Sequence, residues 1–285
     1  MDVKVNSGKQ AIKYARKLLR RKYRKQEKRL VVEGLRFLEE VLKNRLQPDF
    51  ILCTDKVVQQ ERGKMLLDQA TSLKIPIFRI SEAELRELAD TKTPQGILAV
   101  VPQPEWRKEE LLERDEGLFL ALDRIQDPGN LGTLIRTGDA VGVTAVYLSR
   151  GTVDVFNPKV LRATMGSVFR VPVIADVDLC GLLGKMKNLG FFVVAGDPRG
   201  KKIYYEANLR KPLLVVIIGN EAHGIDPQLL ALADEVVQIP LRQGVESLNA
   251  AVATGILLYE AHRQRRSSPY VNQEGTDTSS KINLG

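Results

Sequence analysis

The chain has 285 residues, of which 44% are hydrophobic and 27% are charged, a composition typical of soluble globular proteins. The two widely separated cysteines, Cys53 and Cys180, give no support for a disulfide framework or a zinc site, and a reducing compartment is expected. No apolar run approaches about 20 residues and no secretory signal is recognisable, so we expect a cytoplasmic protein rather than a membrane or secreted one.

Much of the positive charge, which sums to +8 for the chain, lies in a basic segment between Lys9 and Arg29. Apolar residues recur there at near-helical spacing, which predicts one helix with an apolar stripe and a wide basic face. A phosphate-contacting arm, a solvated helix face and a transit peptide are the alternative interpretations. We favour an element built into the fold, because a predicted strand follows directly. The basic residues inside the segment are Lys13, Arg16, Lys17, Arg20, Arg21, Lys22, Arg24, Lys25 and Lys28.

Strand and helix patterns alternate along most of the chain and predict an α/β protein of two domains. Residues 1–102 contain the first series of alternating strands and helices and form the first predicted domain. The charged, proline-containing segment 103–116 is predicted to be a linker. The second series fills 117–265. Its uninterrupted apolar strand at 213–218 predicts a mostly parallel sheet with helices on both faces. The polar tail, 266–285, is predicted to be disordered.

Ligands of open parallel sheets bind outside the carboxyl ends of the strands, so the strand-to-helix junctions of the second domain are the candidate sites. At the first junction, Asn130 follows a Pro-Gly turn and is predicted to cap a helix that carries Arg136 in its second turn. An arginine near a helix N-terminus suits a phosphate group. The alternative, in which Asn130 only caps and Arg136 pairs with an acidic residue, stays open.

The second junction follows the apolar strand and places Glu221 between Gly219 and Gly224. Glycines allow a ligand to approach the backbone closely, which favours a binding loop. The alternative is a simple turn in which Glu221 lies near a helix start, where negative charge is favoured in any case. His223 lacks the zinc-hydrolase pattern and is interpreted as structural.

Two more junctions complete the set. At the third junction, Ser247 is predicted to cap the last helix. This junction is a candidate part of the site, and the alternative is a well-capped helix that only packs and has no chemical role. The segment 194–201 is similar to a P-loop in composition, but its glycine spacing is wrong and Lys202 stands where a serine or threonine is needed. The sequence also lacks the Gly-x-Gly-x-x-Gly fingerprint of dinucleotide-binding enzymes.

Three of these junctions, taken in order, resemble the three motifs of the SpoU/TrmH family of RNA ribose 2′-O-methyltransferases, within the SPOUT class. The matching stretches are 127–137, 218–225 and 239–260. The first domain is similar to the L30e-like substrate-binding module of the family, with residues 32–34 and 93–97 as its landmarks. One departure is Gly138, where the family usually has alanine; it removes no chemical group.

The resemblance implies an S-adenosylmethionine-dependent RNA (ribose-2′-O)-methyltransferase with a C-terminal trefoil knot. It also implies a homodimer with the active site near the interface, and neither a metal nor a membrane is expected. The implied catalytic residues are Arg136, Asn130, Glu221, Ser247 and Asn249. The residues implied to bind S-adenosylmethionine are Gly196, Gly219, Asn220, Glu221, Gly224, Ile239, Ser247 and Leu248.

By resemblance, Arg136 is the residue closest to the chemistry. Arginine stays protonated in proteins, so we interpret it as a clamp on the neighbouring phosphate that stabilises the forming alkoxide, rather than as a base. The L30e-like domain and the basic segment favour ribosomal RNA over transfer RNA as the substrate. A non-catalytic RNA-binding protein of the same fold and a nucleotide-dependent enzyme of ordinary doubly wound fold are the alternatives.

Overall fold

The structure, a computed structural model, describes residues 5–266 of the chain. The tail predicted at 266–285 therefore lies outside the described residues, except for Arg266. The described residues up to Pro102 form six helices and a four-stranded sheet. The helices are α1 (Gly8–Leu18), α2 (Arg21–Glu27), α3 (Leu35–Lys43), α4 (Asp55–Val58), α5 (Glu61–Ser72) and α6 (Glu82–Leu88), and the strands are β1 (Arg29–Glu33), β2 (Phe50–Cys53), β3 (Ile77–Arg79) and β4 (Ile97–Pro102).

The sheet of this first part is mixed, with the strand order β1-β4-β2-β3. Strand β4 pairs antiparallel with β1 and β2, whereas β3 runs parallel to β2. Side chains of β2 alternate between the two faces, since Phe50 and Leu52 pack with α1 and α6, while Ile51 and Cys53 pack with α3 and α5. Both faces of the sheet are therefore covered by helices.

The described residues after Pro102 form a seven-stranded sheet in which every paired strand is parallel. This confirms the predicted parallel-sheet α/β fold, while the trefoil knot stays a prediction. The helices are α7 (Lys108–Leu112), α8 (Pro128–Ala140), α9 (Pro158–Thr164), α10 (Leu179–Asn188), α11 (Pro227–Leu232) and α12 (Ala250–Arg266), and the strands are β5 (Gly117–Leu122), β6 (Ala145–Ser149), β7 (Val173–Val177), β8 (Phe192–Gly196), β9 (Lys202–Ile203), β10 (Leu213–Ile218) and β11 (Glu235–Gln238).

The strand order of this sheet is β7-β6-β5-β10-β8-β11-β9, which places β5, β10, β8 and β11 side by side. Leu118 and Leu120 of β5 pack with α8, α9 and α12, whereas Phe119 packs with α10 and α11 on the opposite face. Burial on both faces explains the uninterrupted apolar strands in the sequence. Within residues 5–266, no helix combines the length and the apolarity that crossing a membrane requires.

The basic segment forms two helices rather than the single helix predicted from its periodicity. Arg20 has an extended backbone and separates α1 from α2. The side chain of Arg24 is almost fully buried and explains the break, because Nη1 donates to the carbonyl oxygens of Leu18 (3.0 Å) and Leu19 (2.7 Å) at the end of α1. Its Nη2 donates to Asp154 Oδ2 of the second part at 2.6 Å.

Several basic side chains of the segment therefore form ion pairs with other parts of the protein. Lys25 pairs with Asp176 at 2.7 Å, and Arg24 pairs with Asp154 at 2.6 Å. Arg21 lies within 4.0 Å of both carboxylates, so four ion pairs among the described residues attach α2 to the second part of the chain. An edge-to-face contact between Phe37 and Phe169, with ring centroids 5.5 Å apart, joins the two parts in a continuous apolar core. Phosphate contact by the segment stays a prediction, and Lys13, Arg20 and Lys22 are exposed members that form no ion pair among the described residues.

Candidate active site

A cavity of about 870 Å³ opens at the carboxyl ends of the adjacent strands β5, β10, β8 and β11. The loops after these strands and the start of α12 form its walls, as expected for an open parallel sheet. The predicted site residues that line it are Asn130, Gly196, Gly219, Asn220, Glu221, Gly224, Ile239, Ser247, Leu248 and Asn249. Of the predicted site residues, Arg136 alone does not line the cavity.

The loop after β5 is anchored by Asp127, which caps α8 in place of Asn130. Its Oδ1 accepts a hydrogen bond from the backbone N–H of Asn130 at 2.7 Å, and Pro128 occupies the first turn. The prediction that Asn130 is the cap was wrong, because proline fits the first helical position and the cap therefore lies one residue before it. The side chain of Asn130 is consequently free to contact the other loops.

Asn130 connects the three motif loops through side-chain hydrogen bonds. Its Nδ2 donates to Glu221 Oε1 at 3.0 Å, and its Oδ1 accepts from Asn249 Nδ2 at 2.8 Å. Glu221 also accepts from the backbone N–H groups of Gln126 (3.2 Å) and Asp127 (3.3 Å). The chain Glu221–Asn130–Asn249, here called the polar array, therefore places polar groups from three separate segments at one edge of the cavity.

Glu221 is the charged member of the polar array. Burial raises the pKa of its carboxyl group, but hydrogen bonds from Asn130 and from nearby backbone N–H groups outweigh burial and hold the pKa below its usual value. Glu221 is therefore ionised at neutral pH and is a weak proton acceptor. Its geometry suits the positioning of Asn130 better than it suits proton transfer.

Asn249 also holds the start of the last helix, a role that the sequence pattern had suggested for Ser247. Its Oδ1 accepts from the backbone N–H groups of Ala251 (2.9 Å) and Val252 (3.3 Å), and α12 begins at Ala250. The prediction that Ser247 caps α12 was wrong. Ser247 instead lies exposed on the cavity wall, two residues before the cap.

The loop after β10 forms a tight turn that requires glycine at its root. Asn220 and Gly224 exchange two backbone hydrogen bonds, of 3.0 and 2.9 Å. A Cβ atom on Gly219 would lie 2.2 Å from the carbonyl carbon of Gly224 and 2.3 Å from the nitrogen of Ile225. The backbone of the turn therefore folds directly over Gly219, and this holds Glu221 at the cavity.

The substitution Gly219→Ala should lower the free energy of unfolding by about 2–3 kcal/mol, because a backbone atom has to move to admit the methyl group. Thermal denaturation measures this change. Gly184→Ala is the matched control, since Gly184 lies in α10 and no atom lies within 4 Å of its added Cβ. There the free energy of unfolding should rise by about 0.5–1 kcal/mol. Equal stability of the two variants would contradict the close packing at Gly219.

Arg136 lies on the exposed face of α8, and the helix continues through Gly138 without a break. Asn130 and Thr137 are seven residues apart and share the face that meets α12, where Thr137 Cγ2 lies 3.9 Å from the position of a Cβ on Gly255. One residue of helix turns by about 100°, so Arg136 points away from that face. Within one chain, Arg136 does not line the cavity, and its expected role at an active site near a dimer interface stays a prediction.

Asp197, which lies in none of the three motifs, also lines the cavity. It follows Gly196 at the end of β8, its side chain is buried, and its carboxylate accepts hydrogen bonds from Arg199 Nε (2.8 Å) and Nη2 (2.9 Å). These bonds hold the pKa of Asp197 below its usual value. The position of Asp197 directly after a strand is the sequence signal that could have identified it. The P-loop-like composition of this segment marks its glycines instead.

The chain matches two protein-family models and several known proteins. The model of the SpoU rRNA methylase family matches residues 117–259, and that of the MRM3-like substrate-binding domain matches residues 9–99. An uncharacterized tRNA/rRNA methyltransferase of Synechocystis is 35% identical over 89% of this chain and 91% of its own. The 23S rRNA (guanosine(2553)-2′-O)-methyltransferase RlmP of Bacillus subtilis is 34% identical over 88% of this chain and 95% of its own.

Among solved structures, the AdoMet-bound rRNA methyltransferase of Sinorhizobium meliloti superimposes with a TM-score of 0.78. It is 28% identical, and the match covers 91% of this chain and 97% of that one. These matches confirm the resemblance seen in the three motifs and in the first domain. The chain belongs to the SpoU rRNA methylase family of S-adenosylmethionine-dependent RNA 2′-O-methyltransferases.

Proposed function

We propose that the enzyme methylates a ribose 2′-hydroxyl of ribosomal RNA and holds S-adenosylmethionine in the cavity at the ends of β5, β10, β8 and β11. The polar array carries this proposal, because Glu221, Asn130 and Asn249 come from three separate motifs and meet at the cavity edge. The relative from Bacillus subtilis, which is named for methylation of a 23S rRNA guanosine, supports ribosomal RNA as the substrate.

The charge of the cavity fits a cationic cofactor. Of the described residues that line it, Asp127, Asp197, Glu221 and Glu246 are acidic, and none is lysine, arginine or histidine. An acidic lining favours a sulfonium cation and disfavours the phosphates of NAD or ATP, which counts against a nucleotide-dependent enzyme. The volume lies within the range of roughly 300–1,000 Å³ that is usual for ligand pockets.

S-adenosylmethionine supplies an activated methyl group when it is bound. The residues that we propose to hold it are Gly196, Gly219, Asn220, Glu221, Gly224, Ile239, Ser247 and Leu248. We assign Asn130, Ser247 and Asn249 to the ribose, where they would orient its 2′-oxygen. Alignment of the reacting groups can lower the activation barrier by up to roughly 7–11 kcal/mol. These residues can therefore contribute substantially to catalysis by orienting the ribose, without transferring a proton themselves.

We propose that two copies of the chain pair through α12. Val252 and Tyr259 are about half exposed, and together with Ile256 they form an apolar stripe along one face of this helix. The helix packs beside α8, which carries Arg136 on its exposed side. A partner chain on this face would place Arg136 near the neighbouring cavity and supply the cation that the acidic lining lacks.

The substitution Tyr259→Glu should convert a dimer into a monomer and abolish methyl transfer, because a carboxylate would be buried in the proposed apolar interface. Sedimentation equilibrium measures the mass and a methyl-transfer assay measures the activity. Tyr205→Glu is the matched control, since Tyr205 is equally exposed but lies outside α12. A wild-type enzyme that is active as a monomer would contradict the proposed dimer.

The substrate assignment is tested by incubating the purified enzyme with radiolabelled S-adenosylmethionine and either ribosomal or transfer RNA. Label should enter ribosomal RNA as an alkali-resistant 2′-O-methyl dinucleotide. Label in transfer RNA alone would redirect the proposal to that substrate, and cofactor binding without transfer to either RNA would favour a non-catalytic RNA-binding protein. We also propose a cytoplasmic location, which the two free thiols at Cys53 and Cys180 support.

A further inference from the structure

A buried carboxylate, Asp123, lies beneath the cavity and is not among the residues that line it. Its Oδ1 accepts from Arg124 Nε (3.0 Å) and Ser149 Oγ (3.2 Å). Its Oδ2 accepts from Arg124 Nη2 (2.8 Å) and from the backbone N–H of Asp226 (3.0 Å). This carboxylate therefore connects the end of β5, the end of β6 and the start of α11. It also accepts two hydrogen bonds from the guanidinium of the next residue, Arg124.

The backbone of Arg124 is in the left-handed region, with φ of +53°, which is unfavourable for a residue with a side chain. Such a conformation persists where surrounding contacts determine it. Here the backbone N–H of Arg124 donates to Ser149 Oγ at 2.7 Å, while its side chain is held by Asp123. The bidentate ion pair between Asp123 and the Arg124 guanidinium thus helps to keep the backbone of Arg124 in this conformation.

The left-handed conformation of Arg124 aims its carbonyl oxygen at the loop after β10. That oxygen accepts from Asn220 Nδ2 at 2.7 Å. The Oδ1 atom of the same amide accepts from the backbone N–H groups of Ala222 (2.9 Å) and His223 (3.0 Å), which closes the turn that carries Glu221. The path therefore runs from Asp123 through the Arg124 backbone to Asn220 and ends at the polar array.

We propose that Asp123 and Arg124 are positioning residues for methyl transfer, which set the orientation of the Asn220–Glu221 turn through the left-handed backbone of Arg124. The proposal rests on the function proposed above, because it assumes that this turn binds S-adenosylmethionine. Neither side chain needs to touch the cofactor or the RNA, because both act through the carbonyl oxygen of Arg124.

The test compares Arg124→Ala with Arg124→Gly. Both variants remove the guanidinium and leave Asp123 with its other donors, but glycine adopts a positive φ without strain. Calorimetry with S-adenosylmethionine should show about tenfold weaker binding for the alanine variant and recovery to within about threefold of wild type for the glycine variant. Equal affinity of the two variants, whether both match wild type or both are weak, would overturn the proposal.

Asp123→Asn and its matched control Asp49→Asn separate positioning from general stability. Asp49 also pairs with an arginine, Arg29, at 2.6 Å, but it lies in the first part of the chain. Asp123→Asn should weaken S-adenosylmethionine binding about tenfold with little change in RNA affinity, while Asp49→Asn leaves cofactor affinity unchanged. Equal weakening in both variants would refute a local role. Absence of binding by the wild-type enzyme would instead refute the proposed function.

Discussion

Arg136→Ala is expected to slow methyl transfer by about 10²–10³-fold, while the affinity for S-adenosylmethionine stays within about twofold of wild type. Arg136 does not line the cavity of its own chain, so its loss leaves the proposed cofactor site intact. In the proposed dimer, the guanidinium meets the RNA phosphate and the forming alkoxide at the neighbouring cavity. Single-turnover rates and calorimetry measure the two quantities separately.

Arg210→Ala is the control for loss of one exposed positive charge, and it should keep transfer within about threefold of wild type at moderate salt. Arg136→Lys keeps the charge but loses the planar fork that binds phosphate at two points. Near-full activity of the lysine variant would contradict a role that needs a guanidinium. A tenfold loss of cofactor affinity in the alanine variant would place Arg136 in the cofactor site instead.

Glu221→Gln is expected to reduce kcat/KM by about 100-fold, because a charged acceptor of three hydrogen bonds becomes a neutral amide with one acceptor oxygen. The N–H groups of Gln126 and Asp127 and the amide of Asn130 would then compete for that oxygen. Glu246→Gln removes the same charge from another residue that lines the cavity and serves as the control, with a change of at most about threefold expected. Equal losses would assign the effect to the charge of the cavity rather than to the polar array.

The pH dependence of cofactor binding gives a separate test of Glu221. The pKa of Glu221 is lowered in the folded protein. The contribution of its carboxylate to cofactor affinity is therefore present above the usual carboxyl range and is lost as the pH falls through the lowered pKa. Affinity for S-adenosylmethionine should therefore stay level from neutral pH down to the usual carboxyl range and fall below it. Calorimetry at several pH values should show that Glu221→Gln removes this acid limb. A fall that begins near neutral pH would contradict a lowered pKa.

The fold and most of the cavity could be predicted because they depend on local patterns. Apolar strands such as Leu213–Ile218 report burial on both faces, and parallel strands bring their carboxyl ends to one edge. Once that edge is known, Glu221 and Asn249 are expected to approach each other although they are far apart in sequence. The individual cavity residues came from the family resemblance of the three motifs, which requires no knowledge of individual contacts.

The errors concern residues whose surroundings are set by tertiary contacts. Asp127 and Asn130 are equally good caps by type, and only the position of Pro128 decides between them. The break after α1 depends on Arg24, which reaches across to Asp154 in a distant part of the chain. Helix periodicity cannot anticipate such a contact. The role of Arg136 stays a prediction, because motif spacing carries no information on whether a residue serves its own chain or a neighbouring one.

In the proposed site, methyl transfer would change the charge that the acidic lining faces, because donation of the methyl group leaves a neutral thioether in place of the sulfonium cation. Asp127, Glu221 and Glu246 would then lose their attraction to the sulfonium charge, whereas the Asp197 carboxylate stays paired with Arg199. The proposed site should therefore hold the demethylated product less tightly than the methyl donor. The loss of one positive charge from the ligand would then favour exchange of spent for fresh donor.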